Sequence, residues 1–290
     1  MFPEKIQHYI AITRIKRPIG ILLLMWPMLW ALWFAAEGMP KLGVLVILLL
    51  GTVLTRSAGC VINDFADREI DGSVERTKNR PLATGALSSK EALFFAAGLM
   101  LLAFGLVLLT NKLTIVMSFV ALFLAILYPF TKRFTQLPQL FLGAAFGFAI
   151  PMAYAAQTGH TNQQTWWLYL AGILWALAYD TYYAMADKQD DIKLGVKSAA
   201  ILFGKADLWI IGLIQFLVLG IVLMIGLDAQ RGWPFIMGLL TAVSFAIYQL
   251  YITRDRQPDK CFSAFLNNNY LGMVVFIGIA ADYMISGVAL

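Results

Sequence analysis

Long apolar stretches recur along this 290-residue chain from one end to the other. Windows of about 17–22 residues, the length that a helix needs to cross a bilayer, can be drawn nine times. Backbone polar groups must pair internally in hydrocarbon, so runs of this length are expected to be helices. The sequence therefore predicts an all-α polytopic membrane protein. The nine predicted spans are 19–36, 42–62, 91–110, 113–130, 136–156, 165–184, 207–228, 232–252 and 268–288.

The composition agrees with a membrane protein and narrows the kinds of site that the chain can carry. The chain is 60% hydrophobic and 13% charged, a charged share about half that of a soluble domain. Its two cysteines, Cys60 and Cys261, argue against a disulfide framework and stand in no metal-ligand spacing. With His8 and His160 as the only histidines, a zinc or haem site built on imidazole is not expected.

The 22 lysines and arginines are distributed unevenly between the predicted loops. One set of alternating segments holds eighteen of them, whereas the other set holds only Lys41, Lys112 and Arg231. Positively charged loops stay in the cytoplasm, so we expect a cytoplasmic N-terminus and an outer C-terminus. The basic pI of about 9.1 then reflects membrane topology and contact with anionic lipid, and nucleic acid is not an expected partner.

Two acidic motifs lie at the cytoplasmic ends of the second and sixth predicted spans. Helical residues three and four apart share a face, so the carboxylates of each motif form one stripe. The first stripe contains Asn63, Asp67 and Asp71, with Asp64 at its edge, and the second contains Asp180, Tyr183, Asp187 and Asp191, with Asp190 just beside it. Like charges at this spacing repel one another unless a cation binds between them. Mg²⁺ is the expected cation, because it prefers carboxylate oxygens and is commonly completed by substrate phosphates.

Basic residues lie along the same surface and supply the complement of a bound phosphate group. They include Arg17 before the first span, Arg76 and Arg80 after the first motif, and Lys132 and Arg133 at the end of the fourth span. Arginine and lysine hydrogen-bond phosphate oxygens, arginine often through two N–H groups. The alternative to a metal and phosphate site is that the acidic side chains are solvated or paired with these basic neighbours. Most of the basic residues would then only set the orientation of the protein in the membrane.

Arg56 is the one basic residue within a predicted span. It lies two helical turns deeper than Asn63 on nearly the same stripe, and charges embedded in a membrane usually face a polar interior. We therefore expect Arg56 to bind either an anionic acceptor or a phosphate.

Two further motifs have structural interpretations. Gly143 and Gly147 form a GxxxG pair followed by Pro151, which predicts close helix packing and a kink. The three asparagines at 267–269, at the start of the ninth predicted span, either cap that helix or line a cavity.

The acidic motifs resemble the paired signatures of the intramembrane aromatic prenyltransferases, NDxxDxxxD and YDxxYxxxDxxDD, at every fixed position. Longer segments such as AGCVINDFADREIDGSVERTKNRPLATG resemble the bacterial 4-hydroxybenzoate polyprenyltransferases of ubiquinone synthesis. The resemblance implies nine helices around a central cavity open to the cytoplasm, in a bacterial inner membrane. It also implies Mg²⁺-dependent transfer of an all-trans polyprenyl group from polyprenyl diphosphate to the 3-position of 4-hydroxybenzoate, and loose association with other enzymes of that pathway.

The resemblance also implies roles for individual residues. Those matched to the Mg²⁺–diphosphate site are Asn63, Asp67, Asp71, Asp180 and Asp187, with Asp64 and Asp190 added from the same motifs. Those matched to substrate binding are Arg17, Arg76, Lys132, Tyr183 and Arg56, with Arg56 near the acceptor. Tyr128 matches a tyrosine near the reactive carbon, and Asp191 matches an aspartate that influences deprotonation of the phenol.

Several alternatives remain open at this stage. The matching positions of the two motifs suggest one domain over 1–290, either undivided or built from two four-helix repeats, 19–130 and 136–252, with a ninth helix. A prenyltransferase for naphthoate, homogentisate or haem would share the motifs. A transporter would place charged residues near the midplane of several helices, which this chain does not do. The length of the donor and the oligomeric state are not determined by the sequence.

Overall fold

The computed structural model describes residues 4–72, 77–131 and 134–288, and every regular element among these residues is helical. The all-α prediction is therefore confirmed. In chain order the helices are α1 (Glu4–Thr13), α2 (Ile19–Ala36), α3 (Leu42–Ala66), α4 (Arg68–Asp71), α5 (Ser89–Val107), α6 (Lys112–Thr131), α7 (Pro138–Gly147), α8 (Ala149–Thr158), α9 (Gln163–Leu194), α10 (Ala199–Phe203), α11 (Asp207–Asp228), α12 (Trp233–Ile252) and α13 (Pro258–Val288).

Eight segments of the described chain are long and apolar enough to cross a membrane, which makes this an integral multi-pass protein. The remaining predicted span, 165–184, lies within α9, whose 32 residues extend about 48 Å at 1.5 Å per residue. The length of α9 is sufficient, but its Trp, Tyr and Asp residues lower its hydropathy. It packs among α2, α7, α8, α10, α11 and α13, so little of its surface has to match lipid. The count of nine spans stays a prediction.

The ends of α9 follow from local side-chain chemistry. Asn162 caps its N-terminus by accepting the Thr165 N–H (2.9 Å), while the Thr165 hydroxyl oxygen accepts the Asn162 N–H (3.1 Å). At the other end Gly195 adopts a left-handed conformation (φ 67°), which a residue without a Cβ adopts at little cost. The acidic segment of α9 therefore stays helical through Asp191 and stops shortly beyond it.

The GxxxG pair packs α7 against α9, as predicted. A Cβ added to Gly143 would lie 2.7 Å from the Ile173 carbonyl oxygen and 2.9 Å from the Ile173 Cα, so only glycine permits this approach. The helix axis is interrupted between Gly147 and Ala149, just before Pro151, which cannot donate a backbone hydrogen bond. The interruption lies where the sequence predicts a kink, and the kink itself stays a prediction.

The prediction for the three asparagines at 267–269 is wrong in both of its forms. Helix α13 begins at Pro258, so these residues lie well inside it, and they do not belong to the cavity lining described below. Their side chains instead accept hydrogen bonds from side chains of neighbouring helices. Such bonds stabilise the association of helices in lipid. The donors are Trp175 to Asn268 (3.0 Å), Trp26 to Asn269 (2.8 Å) and Gln249 to Asn267 (2.9 Å).

The bundle has one end at which α3 and α9 finish, and we call it the charged end. At the opposite end a buried ion pair ties α13 to the connection before α12. Asp282, 1% exposed, accepts the Gly232 N–H (2.7 Å) and lies 3.3 Å from the guanidinium of Arg231. That guanidinium also covers the Tyr283 ring at 3.9 Å from its centre. The Asp282 carboxylate therefore links α13 to the backbone and to the arginine of the connection before α12.

Replacing Asp282 by alanine is expected to lower the free energy of unfolding by about 3 kcal/mol, because the buried guanidinium and a backbone N–H lose their acceptor. The midpoint of thermal unfolding in detergent would measure the loss. Asp255→Ala is the control, since Asp255 is 67% exposed and forms an ion pair with its neighbour Arg254. That change is expected to shift stability by less than about 0.5 kcal/mol. Equal shifts for the two variants would contradict the structural role of Asp282.

Candidate functional site

A cavity of about 1510 Å³ runs through the bundle from the charged end. Its lining includes Asn63 and Ile47 of α3, which are sixteen residues and therefore about 24 Å apart along the helix. At the far end the walls include Thr110 and Thr114, near the connection between α5 and α6. The cavity is thus polar at its mouth, deep enough to cross most of a bilayer, and walled mainly by apolar side chains.

The cavity brings together most of the residues that the sequence singled out. Those that line it are Arg17, Arg56, Asn63, Asp67, Asp71, Tyr128, Asp180, Tyr183, Asp187, Asp190 and Asp191. Arg76 and Lys132 lie outside the described residues. Asp64 is described but is not part of the lining. Residues from four segments far apart in sequence therefore meet around one space.

The end of α3 presents oxygen atoms to the mouth of this cavity. The Asn63 side-chain amide donates to the Asp67 carboxylate at 3.3 Å. The Asn63 amide oxygen is buried and has no hydrogen-bond partner among the described residues. A buried acceptor without a donor is costly, and a cation would satisfy it. Asp67 follows the last residue of α3, where the helix dipole adds partial negative charge. The end of α3 is therefore suited to a cation.

The second acidic stripe lies on the last turns of α9. Asp180, Asp187 and Asp191 all face the cavity. Asp190 also contributes to the lining, but its half-exposed carboxylate pairs with Lys193 at 3.4 Å. The Tyr183 ring packs edge-on against Phe265 with 5.0 Å between ring centres. Aromatic packing therefore fixes the orientation of this helix face towards the cavity.

The two stripes do not form a closed metal cage. Among the described ranges, no three Asp, Glu, His or Cys side chains lie close enough together to hold an ion by themselves. This arrangement fits Mg²⁺, which is commonly held by one or two carboxylates and completed by water and substrate phosphate oxygens. The oxygen donors on α3 and α9 thus fit a metal that arrives with a phosphorylated substrate.

Asp64 has a different environment from its neighbours in the motif. Its carboxylate is 2% exposed and is contacted by the guanidinium groups of Arg14 and Arg80, the latter at 3.1 Å. Arg80 also donates to both oxygens of Asp71, at 2.9 and 2.7 Å. Each residue advances a helix by 100°, which turns Asp64 away from the stripe of Asn63 and Asp67. The position of Asp64 therefore does not support the metal role predicted for it.

Arg14 is a residue that sequence reasoning missed. It lies just after α1 and lines the cavity as well as contacting Asp64. The available signal was its position three residues before Arg17 in the same basic segment. Nothing local in the sequence, however, indicates that it pairs with a carboxylate fifty residues away.

Arg56 lies deeper in the cavity, among aromatic side chains. One guanidinium nitrogen is 2.9 Å from the Cys60 sulfur, and the guanidinium carbon lies 5.1 Å from the centre of the Phe146 ring. Its Nε is buried and has no hydrogen-bond partner within the described part of the chain. Tyr128 packs against the same Phe146 ring at 6.5 Å. The group therefore combines a partly buried cation with aromatic faces, below the acidic mouth.

Comparison with known proteins gives consistent results. A family model described as the UbiA prenyltransferase family matches residues 24–274. A protein of Shewanella loihica named 4-hydroxybenzoate octaprenyltransferase is 52% identical over 282 residues, 97% of this chain and 99% of the relative. A protein of the same name from Saccharophagus degradans is 54% identical over 278 residues, 96% of this chain and 93% of the relative.

Two solved structures share the fold. A UbiA homologue from Aeropyrum pernix, in its apo form, superposes with a TM-score of 0.79 at 22% identity, covering 90% of this chain and 97% of that one. A UbiA homologue from Archaeoglobus fulgidus bound to GPP and Mg²⁺ superposes with a TM-score of 0.75 at 18% identity, covering 98% and 100%.

Proposed function

Since the chain belongs to the UbiA prenyltransferase family, we propose that it transfers an all-trans polyprenyl group from polyprenyl diphosphate to the 3-position of 4-hydroxybenzoate. The reaction releases diphosphate and forms a step of ubiquinone biosynthesis. Relatives that are 52–54% identical over nearly the whole chain carry the name 4-hydroxybenzoate octaprenyltransferase. The observation that carries the proposal is one continuous cavity with an acidic mouth, a partly buried arginine below it and a long apolar body.

The mouth of the cavity is proposed to bind the diphosphate of the donor with Mg²⁺. The residues proposed as ligands are Asn63, Asp67 and Asp71 on one side and Asp180 and Asp187 on the other. Bound Mg²⁺ would act as a Lewis acid that neutralises charge on the leaving diphosphate. Arg17 is proposed to donate to the diphosphate oxygens, and Arg76 and Lys132 remain candidates for the same role by resemblance.

The transfer step follows from the chemistry of an allylic diphosphate. Breaking the allylic C–O bond leaves its electron pair on the diphosphate and a delocalised cation on the prenyl carbon. The ring carbon ortho to the phenol attacks that cation, and loss of the ring proton restores aromaticity. Tyr128 and Phe146 offer aromatic faces that stabilise the cation, while the apolar walls exclude water that would quench it. Asp191 is proposed to influence deprotonation of the phenol.

Arg56 is proposed to bind the carboxylate of the acceptor. Its guanidinium forms no ion pair with any described residue, and its buried Nε has no hydrogen-bond acceptor among them, which is costly for a charged group. An acceptor with a carboxylate para to its hydroxyl would offset that cost and place the ortho carbon near Tyr128. The names of the relatives favour 4-hydroxybenzoate as this anionic acceptor, whereas naphthoate and homogentisate, which also carry a carboxylate, remain the alternatives and the scarcity of histidine counts against haem.

The charged end of the bundle is proposed to face the cytoplasm of a bacterial inner membrane, with the N-terminus inside and the C-terminus outside. The count of eighteen basic residues on one side against three on the other supports this orientation. Water-soluble 4-hydroxybenzoate and Mg²⁺ would then enter from the cytoplasm. The prenyl tail would lie in the apolar body of the same single domain, 1–290.

The proposal can be tested with purified protein in lipid nanodiscs, supplied with donors of several chain lengths and several aromatic acceptors. Mass spectrometry is expected to find 3-polyprenyl-4-hydroxybenzoate when Mg²⁺ is present and none after EDTA treatment. Absence of this product with every donor length would contradict the acceptor assignment. Product from a naphthoate alone would redirect the function to that acceptor.

A further inference from the structure

Gly20, near the start of α2, lies directly against the guanidinium of Arg56. A Cβ added to Gly20 would be 2.5 Å from both the Nε and one terminal nitrogen of Arg56, and 2.9 Å from its guanidinium carbon. Real Cβ atoms do not approach other atoms this closely, so the observed guanidinium position requires glycine here. Gly51 and Gly59, which also line the cavity, have no atom within 4 Å of an added Cβ. The requirement is therefore specific to Gly20.

The contact differs from ordinary helix packing. An added Cβ on Gly143 or Gly238 would collide with backbone atoms, which cannot move without shifting a helix. At Gly20 the three nearest atoms all belong to the far end of one arginine side chain. A small side chain at position 20 would therefore displace the guanidinium and leave the helices in place.

Three helices hold the guanidinium in this position. Gly20 of α2 lies on one side, the Phe146 ring of α7 on another at 5.1 Å, and Cys60 of α3 at 2.9 Å. A guanidinium is rigid and planar, so these contacts also set the direction in which its free N–H groups point. Its Nε remains buried with no acceptor in the described chain. The guanidinium of Arg56 is thus held in one orientation and has no anionic partner among the described residues.

We propose that Gly20 is a specificity-determining position, which orients Arg56 towards the carboxylate of the aromatic acceptor by leaving room for the guanidinium against α2. This inference rests on the proposed function and deepens it. Gly20 itself touches no substrate and acts through Arg56. The acidic mouth is separate, because Asn63 lies seven residues and about 10 Å beyond Arg56 along α3. Changes at Gly20 therefore act on the acceptor and spare the donor.

The test compares Gly20→Ala with wild type, using 4-hydroxybenzoate and its neutral methyl ester as acceptors. We expect the KM for 4-hydroxybenzoate to rise about 10- to 100-fold, the loss typical of a binding group misplaced by about 1 Å. The KM for the methyl ester and for the polyprenyl diphosphate should stay within about twofold of wild type. Gly220→Ala is the matched control, because Gly220 is an exposed glycine in α11 with no atom within 4 Å of an added Cβ.

A double variant shows whether Gly20 acts through Arg56. If it does, Gly20→Ala should have no further effect on acceptor KM once Arg56→Leu is present, since coupled residues are not additive. Gly20→Ala with Arg56→Lys should recover part of the preference for the acid over the ester, because the slimmer ammonium fits beside alanine. Should Gly20→Ala accumulate in folded form only together with Arg56→Leu, that rescue would itself demonstrate the contact.

Three results would overturn the inference. One is a Gly20→Ala enzyme whose preference for the acid over the ester equals that of wild type. The others are full additivity of Gly20→Ala and Arg56→Leu and an equal rise in donor KM, either of which would make Gly20 a packing residue alone. Failure of the proposed function is distinguishable, because wild-type protein would then yield no prenylated 4-hydroxybenzoate before any variant is compared.

Discussion

Replacing Asp67 or Asp187 by alanine is expected to reduce the rate of prenyl transfer by about 10³-fold while leaving the fold intact. Both carboxylates line the mouth of the cavity, one at the end of α3 and the other on α9. Either substitution would remove an oxygen ligand and a negative charge from the proposed Mg²⁺–diphosphate site. Because the two stripes are proposed to act together on one leaving group, loss of either is expected to be nearly as severe as loss of both.

The measurement has two parts. Release of diphosphate is followed as a function of Mg²⁺ concentration. The thermal stabilisation of the protein by Mg²⁺ with a non-reactive diphosphate analogue reports binding without turnover. Asp228→Ala serves as the control, since this exposed carboxylate ends α11 at the opposite end of the bundle. Near-normal turnover in Asp67→Ala or in Asp187→Ala would remove the argument for a metal site.

Asp64→Ala, only three residues before Asp67, is expected to act mainly on stability. It removes the shared acceptor of two arginines, Arg14 and Arg80, and leaves positive charge partly buried. Breaking such a buried pair costs about 3–5 kcal/mol, and the lower figure is expected because Arg14 is 31% exposed. Asp64→Ala is therefore expected to lower the free energy of unfolding by about 3 kcal/mol, whereas Asp67→Ala is expected to lower it by less than about 1 kcal/mol.

Chemical unfolding in detergent would measure this difference, and hydrogen exchange would locate it. Faster exchange is expected in α1, because Arg14 follows directly after that helix and anchors it to α3. Glu69→Ala is a suitable control, since that carboxylate is 81% exposed and forms an ion pair with its neighbour Arg68. Identical unfolding midpoints for the Asp64 and Asp67 variants, together with identical loss of the Mg²⁺ response, would show that Asp64 is a ligand after all.

Much of the architecture could be predicted from the sequence because the signals are local. The length of an apolar window identifies a membrane helix without any knowledge of the neighbouring helices. Acids three and four residues apart at the end of such a window identify an acidic stripe in the same way. Gly143 shows the same kind of local signal, since a GxxxG pair reports close packing whichever helix lies opposite. The cavity lining agrees with these motifs at Asp67 and Asp187.

The asparagines at 267–269 show where local reasoning failed. The ninth apolar window begins at 268 and so suggested a helix start there, yet α13 begins at Pro258 and buries Asn268 against Trp175 and Gln249. Polar residues inside a spanning helix are stable when neighbouring helices satisfy their hydrogen bonds. Which neighbours are present is a property of the assembled bundle, so no pattern in the segment itself could have shown it.

The acidic stripes identify the charged end of the bundle. The sequence by itself determined that these residues lie on membrane helices and on the same side of the membrane. Helical period and hydrophobic length are sufficient for that, because both act within a single segment. Only the tertiary structure decided that Asp64 turns to Arg14, fifty residues away, and that Gly20 makes room for Arg56. These choices depend on which helices become neighbours, and contact between distant segments is settled by packing of the whole bundle.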